Sequence, residues 1–122
     1  MWLTEENDLS LGDFGVSIIF KDDANKDRVN MIQGTPHYYA PEMLKTKDPT
    51  KRMMGKQLDI WATGLSFYKI ATGHLPFEPV SSLNALREIL FNLKVDYSPI
   101  TKIQGQNVHL FKAFLESMIC AD

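Results

Sequence analysis

One cysteine in 122 residues, Cys120, rules out an internal disulfide and fits a reducing, intracellular compartment. No apolar run approaches the roughly 20 residues that a membrane-spanning helix needs, and the N-terminus has no basic-then-apolar leader pattern. Positive charge is not in excess. Thirteen Lys and Arg stand against 15 Asp and Glu, a net charge of −2, which leaves no electrostatic footprint for nucleic acid or an anionic membrane. The three histidines, His37, His74 and His109, share no ligand spacing, so no metal or catalytic role falls to them. Repeats and low-complexity segments are absent. What these absences leave is an ordinary soluble composition, 44% apolar and 23% charged, at a length suited to one small cytoplasmic domain.

The stretch that organises the chain runs from Lys56 to Phe77. Leu58, Trp61, Ala62, Leu65, Tyr68 and the methyl of Thr72 recur at the three-and-four spacing of one helix face. Ile60, Phe67, Ile70 and Ala71 fill much of the remaining circumference, so the spacing predicts a helix surrounded by protein on nearly all sides. Gly73 stands where a helix C-cap belongs, and Pro76 prevents continuation. Near the start of this post lies one carboxylate, Asp59, expected to point inward.

Upstream, residues 1–4 and 9–11 read as two short strands around the polar turn Glu5-Glu6-Asn7-Asp8. Gly12-Asp13-Phe14-Gly15 follows, where two glycines around an acid free the backbone to present the carboxylate outward. An exposed carboxylate on a turn suits Mg²⁺, which keeps most of its waters and takes one or two protein oxygens. Val16 to Gln33 reads as a polar loop. Within it, Asp23, Asn25 and Asp27 open like a calcium loop, but Arg28 and Gly34 occupy the positions that need Gly and Glu, which excludes calcium. Next, Gly34 and Pro36 fix a bend, Pro41 opens a short helix, and Glu42 favours that helix's N-terminus.

Asp-Phe-Gly, then Ala-Pro-Glu across a loop, then a helix with an early Asp and Trp make a joint pattern whose order and spacing match the protein-kinase signatures. The chain therefore resembles the C-terminal lobe of a eukaryotic protein kinase. The carriers are Asp13-Phe14-Gly15, Gly34-Thr35-Pro36, Ala40-Pro41-Glu42, Asp59 through Gly64, and Gly73 through Phe77. The run from Gly34 to Glu42 is similar to the serine/threonine class. Two stretches, Asp13 to Lys21 and Gly55 to Gly64, look most like calcium/calmodulin-dependent protein kinase kinases.

The resemblance implies an α+β protein-kinase-like fold, here mostly α-helical with a short N-terminal β-hairpin. Residues 1–122 would form part of one kinase domain, from the strands before Asp13 through the activation segment, the central helix and two following helices. It implies phosphoryl transfer from Mg-ATP to Ser or Thr of a protein substrate, with a downstream kinase one candidate. The resemblance implies calmodulin as a possible partner, whose site is not visible in this chain. Asp13 would hold Mg²⁺ and, with Phe14 and Gly15, form the nucleotide side of the site, Phe14 packing beneath the acid. Thr35 would help position the acceptor hydroxyl, and Gly34, Thr35, Pro36 and Tyr39 would wall the substrate. Asp59 would accept backbone hydrogen bonds from the catalytic loop, Trp61 would support it, and Glu42 would pair with an Arg.

The departures are as informative. A Gly-rich phosphate loop, an ATP-pairing Lys and a His-Arg-Asp loop do not occur in the sequence. Aligned back from Asp13, Met1 falls just after the metal-binding Asn of the pattern, and Asp122 just before the Arg that pairs with Glu42. The chain as written is expected to be inactive alone, and the alternative reading is a catalytically dead, kinase-like interaction module. Ser17 and Thr35 are the only Ser or Thr between Asp13 and Glu42, so no activation-loop phosphorylation is expected between Phe20 and Gln33.

The remainder reads as scaffold. Ser81 or Ser82 caps a helix to about Leu93, with Leu83, Leu86, Ile89, Leu90 and Leu93 inward. Asp96 to Gln106 reads as a loop. Asn107 caps a last helix with Val108, Phe111, Phe114, Leu115, Met118 and Ile119 inward, and Cys120 is expected to be buried.

Overall fold

The computed structural model describes residues 1–19, 28–29, 32–45 and 53–120. The expected hairpin is present: β1 (Trp2–Leu3) pairs antiparallel with β2 (Leu9–Ser10), Trp2 opposite Ser10 and Leu3 opposite Leu9. Its turn is closed at both backbone and side chain. Thr4 N–H donates to Asp8 O at 2.8 Å, and Asp8 N–H donates to Thr4 Oγ1 at 3.1 Å. Asn7 takes a left-handed φ of 66°, a conformation that Asn tolerates in turns.

The stretch expected to be pure loop contains a strand. β3 (Arg28–Val29) pairs antiparallel with β4 (Met53–Met54), which leads directly into the central helix. Local periodicity cannot show a two-residue pairing with a segment so distant in sequence. Asp23, Asn25 and Asp27, from which calcium was excluded, lie outside the described residues.

Two short helical turns follow the bend: a 3₁₀ turn over Pro36–Tyr38 and α1 (Pro41–Lys45), each opened by proline. The central helix is α2 (Gly55–Thr72). It ends as expected: Gly73 adopts φ 85°, and its N–H donates to Lys69 O at 2.8 Å. Trp61, Gly64, Leu65 and Tyr68, one stripe at helical spacing, are buried. The rest of the circumference corrects the expectation of burial on all sides. Ile60 is exposed, Ile70 is 69% exposed, and Asp59 is exposed rather than inward. The described elements cover one face of α2, and its apolar content continues past that face.

α3 (Leu83–Phe91) is capped by Ser82, whose side chain accepts the Ala85 N–H. Leu86 and Leu90 are buried, whereas Leu83, in the first turn, is exposed. The expected loop after Asp96 holds a further turn, α4 (Ser98–Thr101). Asp96 starts it by accepting the Ser98 N–H at 2.8 Å and the Ser98 hydroxyl at 2.9 Å. α5 (Val108–Met118) buries Leu115 and, just past its end, Ile119. Asn107 occupies the N-cap position through its carbonyl, which accepts Phe111 N–H, and not through its side chain. Phe114 lies at the edge of the buried stripe and is half exposed, its ring 6.2 Å from that of Phe67. Cys120 is exposed, because the chain has left the helix by that point.

The core joins these pieces. Met43 from α1, Leu65 and Tyr68 from α2, Leu86 and Leu90 from α3, and Leu115 from α5 belong to one buried cluster. Tyr68 also donates its hydroxyl to Asp96 O at 2.7 Å, fastening α4 to the post. Among the described residues, no helix is long and apolar enough to cross a membrane.

Candidate active site

Asp13 itself, rather than either neighbouring glycine, takes the left-handed backbone, with φ 63°. Aspartate is among the few residues that adopt this conformation at modest cost, so the turn sets the direction of the carboxylate. The turn is closed by Ser17 N–H donating to Phe14 O at 3.0 Å. Phe14 is 69% exposed, contrary to the expectation that it packs beneath the acid; the described elements supply no pocket that covers it.

Facing this turn is the bend from Gly34 to Tyr39. Gly34 takes φ 105°, a value that favours glycine. Tyr38 N–H donates to Thr35 O and Tyr39 N–H to Pro36 O, while the buried Tyr39 sends its hydroxyl back to Gly34 O at 3.0 Å. His37 reaches outward, its Nε2 lying 3.0 Å from Val80 O. Glu42 follows, half buried in the first turn of α1.

Between the turn, the bend and the first turns of α2 lies a cleft of about 510 Å³. Asp13, Phe14, Gly34, Thr35, Tyr39 and Asp59 all line it, so three separated segments converge on one space. Gly15, Pro36, Glu42 and Trp61 do not line it. Trp61 is instead part of the core, its indole N–H buried without an acceptor among the described residues. Sequence reasoning missed Ser17 and Tyr38 as lining residues and the outward bond of His37. For Ser17 a signal existed, its place four residues after Asp13; for His37 there was none.

The lining of the cleft mixes polar and apolar side chains. It holds two carboxylates, Asp13 and Asp59, the hydroxyls of Ser17, Thr35 and two tyrosines, and no Lys or Arg among its described residues. No group of three or more His, Cys, Asp or Glu among the described residues could cage a metal. That donor set fits Mg²⁺, which takes one or two carboxylates and completes its shell with water and phosphate oxygens.

A mostly helical fold with a short N-terminal hairpin is that of a kinase C-terminal-lobe fragment. The chain belongs to the protein kinase family: the family model described as the protein kinase domain matches residues 1–122. It is 33% identical over 116 residues to a Dictyostelium discoideum protein named as a probable serine/threonine-protein kinase, covering 93% of this chain and 16% of that protein. It is 34% identical over 97 residues to CBL-interacting serine/threonine-protein kinase 5 of Arabidopsis thaliana, covering 80% and 21%. It is 32% identical over 101 residues to dual specificity mitogen-activated protein kinase kinase 7 of Homo sapiens, covering 83% and 20%. The chain thus spans 16 to 21% of the length of these three relatives, which represent diverse kinase types.

Proposed function

We propose that this chain is the C-terminal-lobe portion of an ATP-dependent protein serine/threonine kinase, residues 1–122 forming part of one kinase domain. The observation that carries the reading is the cleft in which Asp13, Thr35 and Asp59 meet from three segments. Bound Mg²⁺ would neutralise charge on the ATP phosphates during transfer. Asp13 contributes the carboxylate that holds it, and the left-handed turn keeps that carboxylate aimed at the cleft. Thr35 offers its hydroxyl on the opposite wall, where it orients the acceptor Ser or Thr of a protein substrate. Gly34, Pro36 and Tyr39 hold that wall rigid, so that less motion is lost on substrate binding. Asp59, open at the cleft, is placed to accept backbone hydrogen bonds from a catalytic loop.

The runs Asp13–Lys21 and Gly55–Gly64 support a finer placement near calcium/calmodulin-dependent protein kinase kinases, with a downstream kinase as substrate and the cytoplasm as its place of action. The test is transfer of radiolabelled phosphate from Mg-ATP to a protein substrate by the intact protein and by Asp13→Ala. Loss of one charge-stabilising group should cost about 100-fold or more in rate. Transfer that survives Asp13→Ala overturns the assignment of the metal carboxylate. An intact protein with no transfer at all would be a kinase-like interaction module.

A further inference from the structure

We infer that His37 is a positioning residue, whose imidazole fixes the substrate-facing bend Gly34–Tyr39 to the chain ahead of α3. This deepens the kinase reading above and rests on it.

The bend has its own internal closure. Tyr39 hydroxyl to Gly34 O, Tyr38 N–H to Thr35 O and Tyr39 N–H to Pro36 O all lie within six consecutive residues. Such bonds give the bend its shape, and the buried Tyr39 and Ala40 anchor its far end in the core. His37 adds a polar tie at its middle. Its ring is half buried and Nε2 sits 3.0 Å from Val80 O, 43 residues away in sequence. A carbonyl can only accept, so Nε2 carries the proton and the tautomer is set by the contact. Val80 stands two residues before Ser82, the cap of α3, and α3 is rooted in the core through Leu86 and Leu90. The imidazole therefore couples the bend to a helix that cannot shift without disturbing the core.

The consequence falls on His37's neighbours. Thr35 and Tyr38, two residues before it and one after, both line the cleft. Without that tie the bend would swing about its buried Tyr39 end and carry both away from their places, and transfer rates fall steeply with small misplacements. Asp13 and Asp59 belong to other segments and would stay where they are. Loss of His37 should therefore weaken use of the protein substrate while leaving the nucleotide side unaffected.

The experiment compares His37→Ala and His37→Gln with wild type in the intact protein. Gln can offer an amide N–H where Nε2–H stood. Steady-state kinetics give KM separately for a peptide substrate and for Mg-ATP, and amide hydrogen exchange reads Tyr38 and Tyr39. For His37→Ala, the peptide KM should rise about three- to tenfold, the factor that one hydrogen bond is worth, at constant KM for Mg-ATP. Exchange at Tyr38 and Tyr39 should quicken by a similar factor, and His37→Gln should restore both readouts. An unchanged peptide KM in His37→Ala, an equal rise in both KM values, or a Gln variant no better than Ala overturns the proposal. A wild type without phosphoryl transfer removes the kinase reading and the positioning role with it. Exchange that still quickens only in the Ala variant would then show the tie to be purely structural.

Discussion

At Gly64 the central helix and the end of α5 approach closely, since an added Cβ would lie 2.8 Å from both Met118 Cβ and Ile119 Cγ1. Ile119 Cγ1 can move by a change of rotamer, but Met118 Cβ is fixed to its backbone, so the helices themselves must part. Gly64→Ala therefore sets two effects against each other. Helix propensity favours Ala by about 1 kcal/mol, while overpacking costs about 1–3 kcal/mol. The contact should win, and the urea midpoint should fall; a rise would show that α5 shifts freely. Tyr97 offers a second residue-scale test. Burial, then the negative charge of Glu116, pushes its hydroxyl from 10.0 up to about 12. Above pH 10 the unfolded chain releases this proton, whereas the folded chain keeps it until about 12. Its contribution to stability is therefore complete below pH 10, falls between 10 and 12, and is flat beyond. Tyr68, raised by burial and then by Asp96, acts with the same sign. Urea midpoints across that range should fall less steeply for Tyr97→Phe; parallel curves would place the alkaline sensitivity elsewhere.

Among the elements, α2 shows what its sequence could and could not state. Its end was legible because Gly73 and Pro76 specify termination chemically, through a left-handed cap and a missing N–H. The hairpin before Asp13 was legible for a similar reason, its turn being polar and its flanks apolar. β3 with β4 was not, because two-residue strands carry no period and their partners are distant. Nor was α4, whose start depends on Asp96 reaching Ser98 in a stretch with loop composition. That Asp13, Thr35 and Asp59 line one cleft could not be read from their order, nor could the exposure of Asp59 be read from a helix apolar nearly all round. That helix has faces of unequal weight. Leu65 is fully buried, so Leu65→Ala should cost about 2–5 kcal/mol. Ile70 is exposed, so Ile70→Lys should stay within about 0.5 kcal/mol of wild type. Denaturation of the two variants side by side checks this, and equal losses would mean that Ile70 faces a partner surface.

The whole chain presents 8935 Å² to solvent, about a third more than the roughly 6,700 Å² expected of a compact monomer of 13.9 kDa. Large apolar side chains among the described residues contribute to this surface. Leu11, Phe14, Val16 and Ile18 stand open along one side of the cleft. Ile60 and Ile70 on α2, with Leu110 and Phe114 on α5, stand open on the helical side. At about 25 cal/mol per Å², even a few hundred Å² of such surface is a strong drive toward association. The buried stripe of Trp61, Gly64, Leu65 and Tyr68 holds α2 against its described neighbours, but nothing described relieves its other faces. Residues 1–122 produced as a separate polypeptide should therefore bind a hydrophobic dye such as anilinonaphthalene sulfonate and elute as species larger than 13.9 kDa. Mg-ATP should not shift its melting, since Asp13 alone supplies too few contacts to hold the nucleotide without the rest of a kinase site. A sharp, concentration-independent melt that rises with Mg-ATP and shows no dye binding would mean that the open faces close on one another in solution, and that this chain makes a nucleotide site unaided.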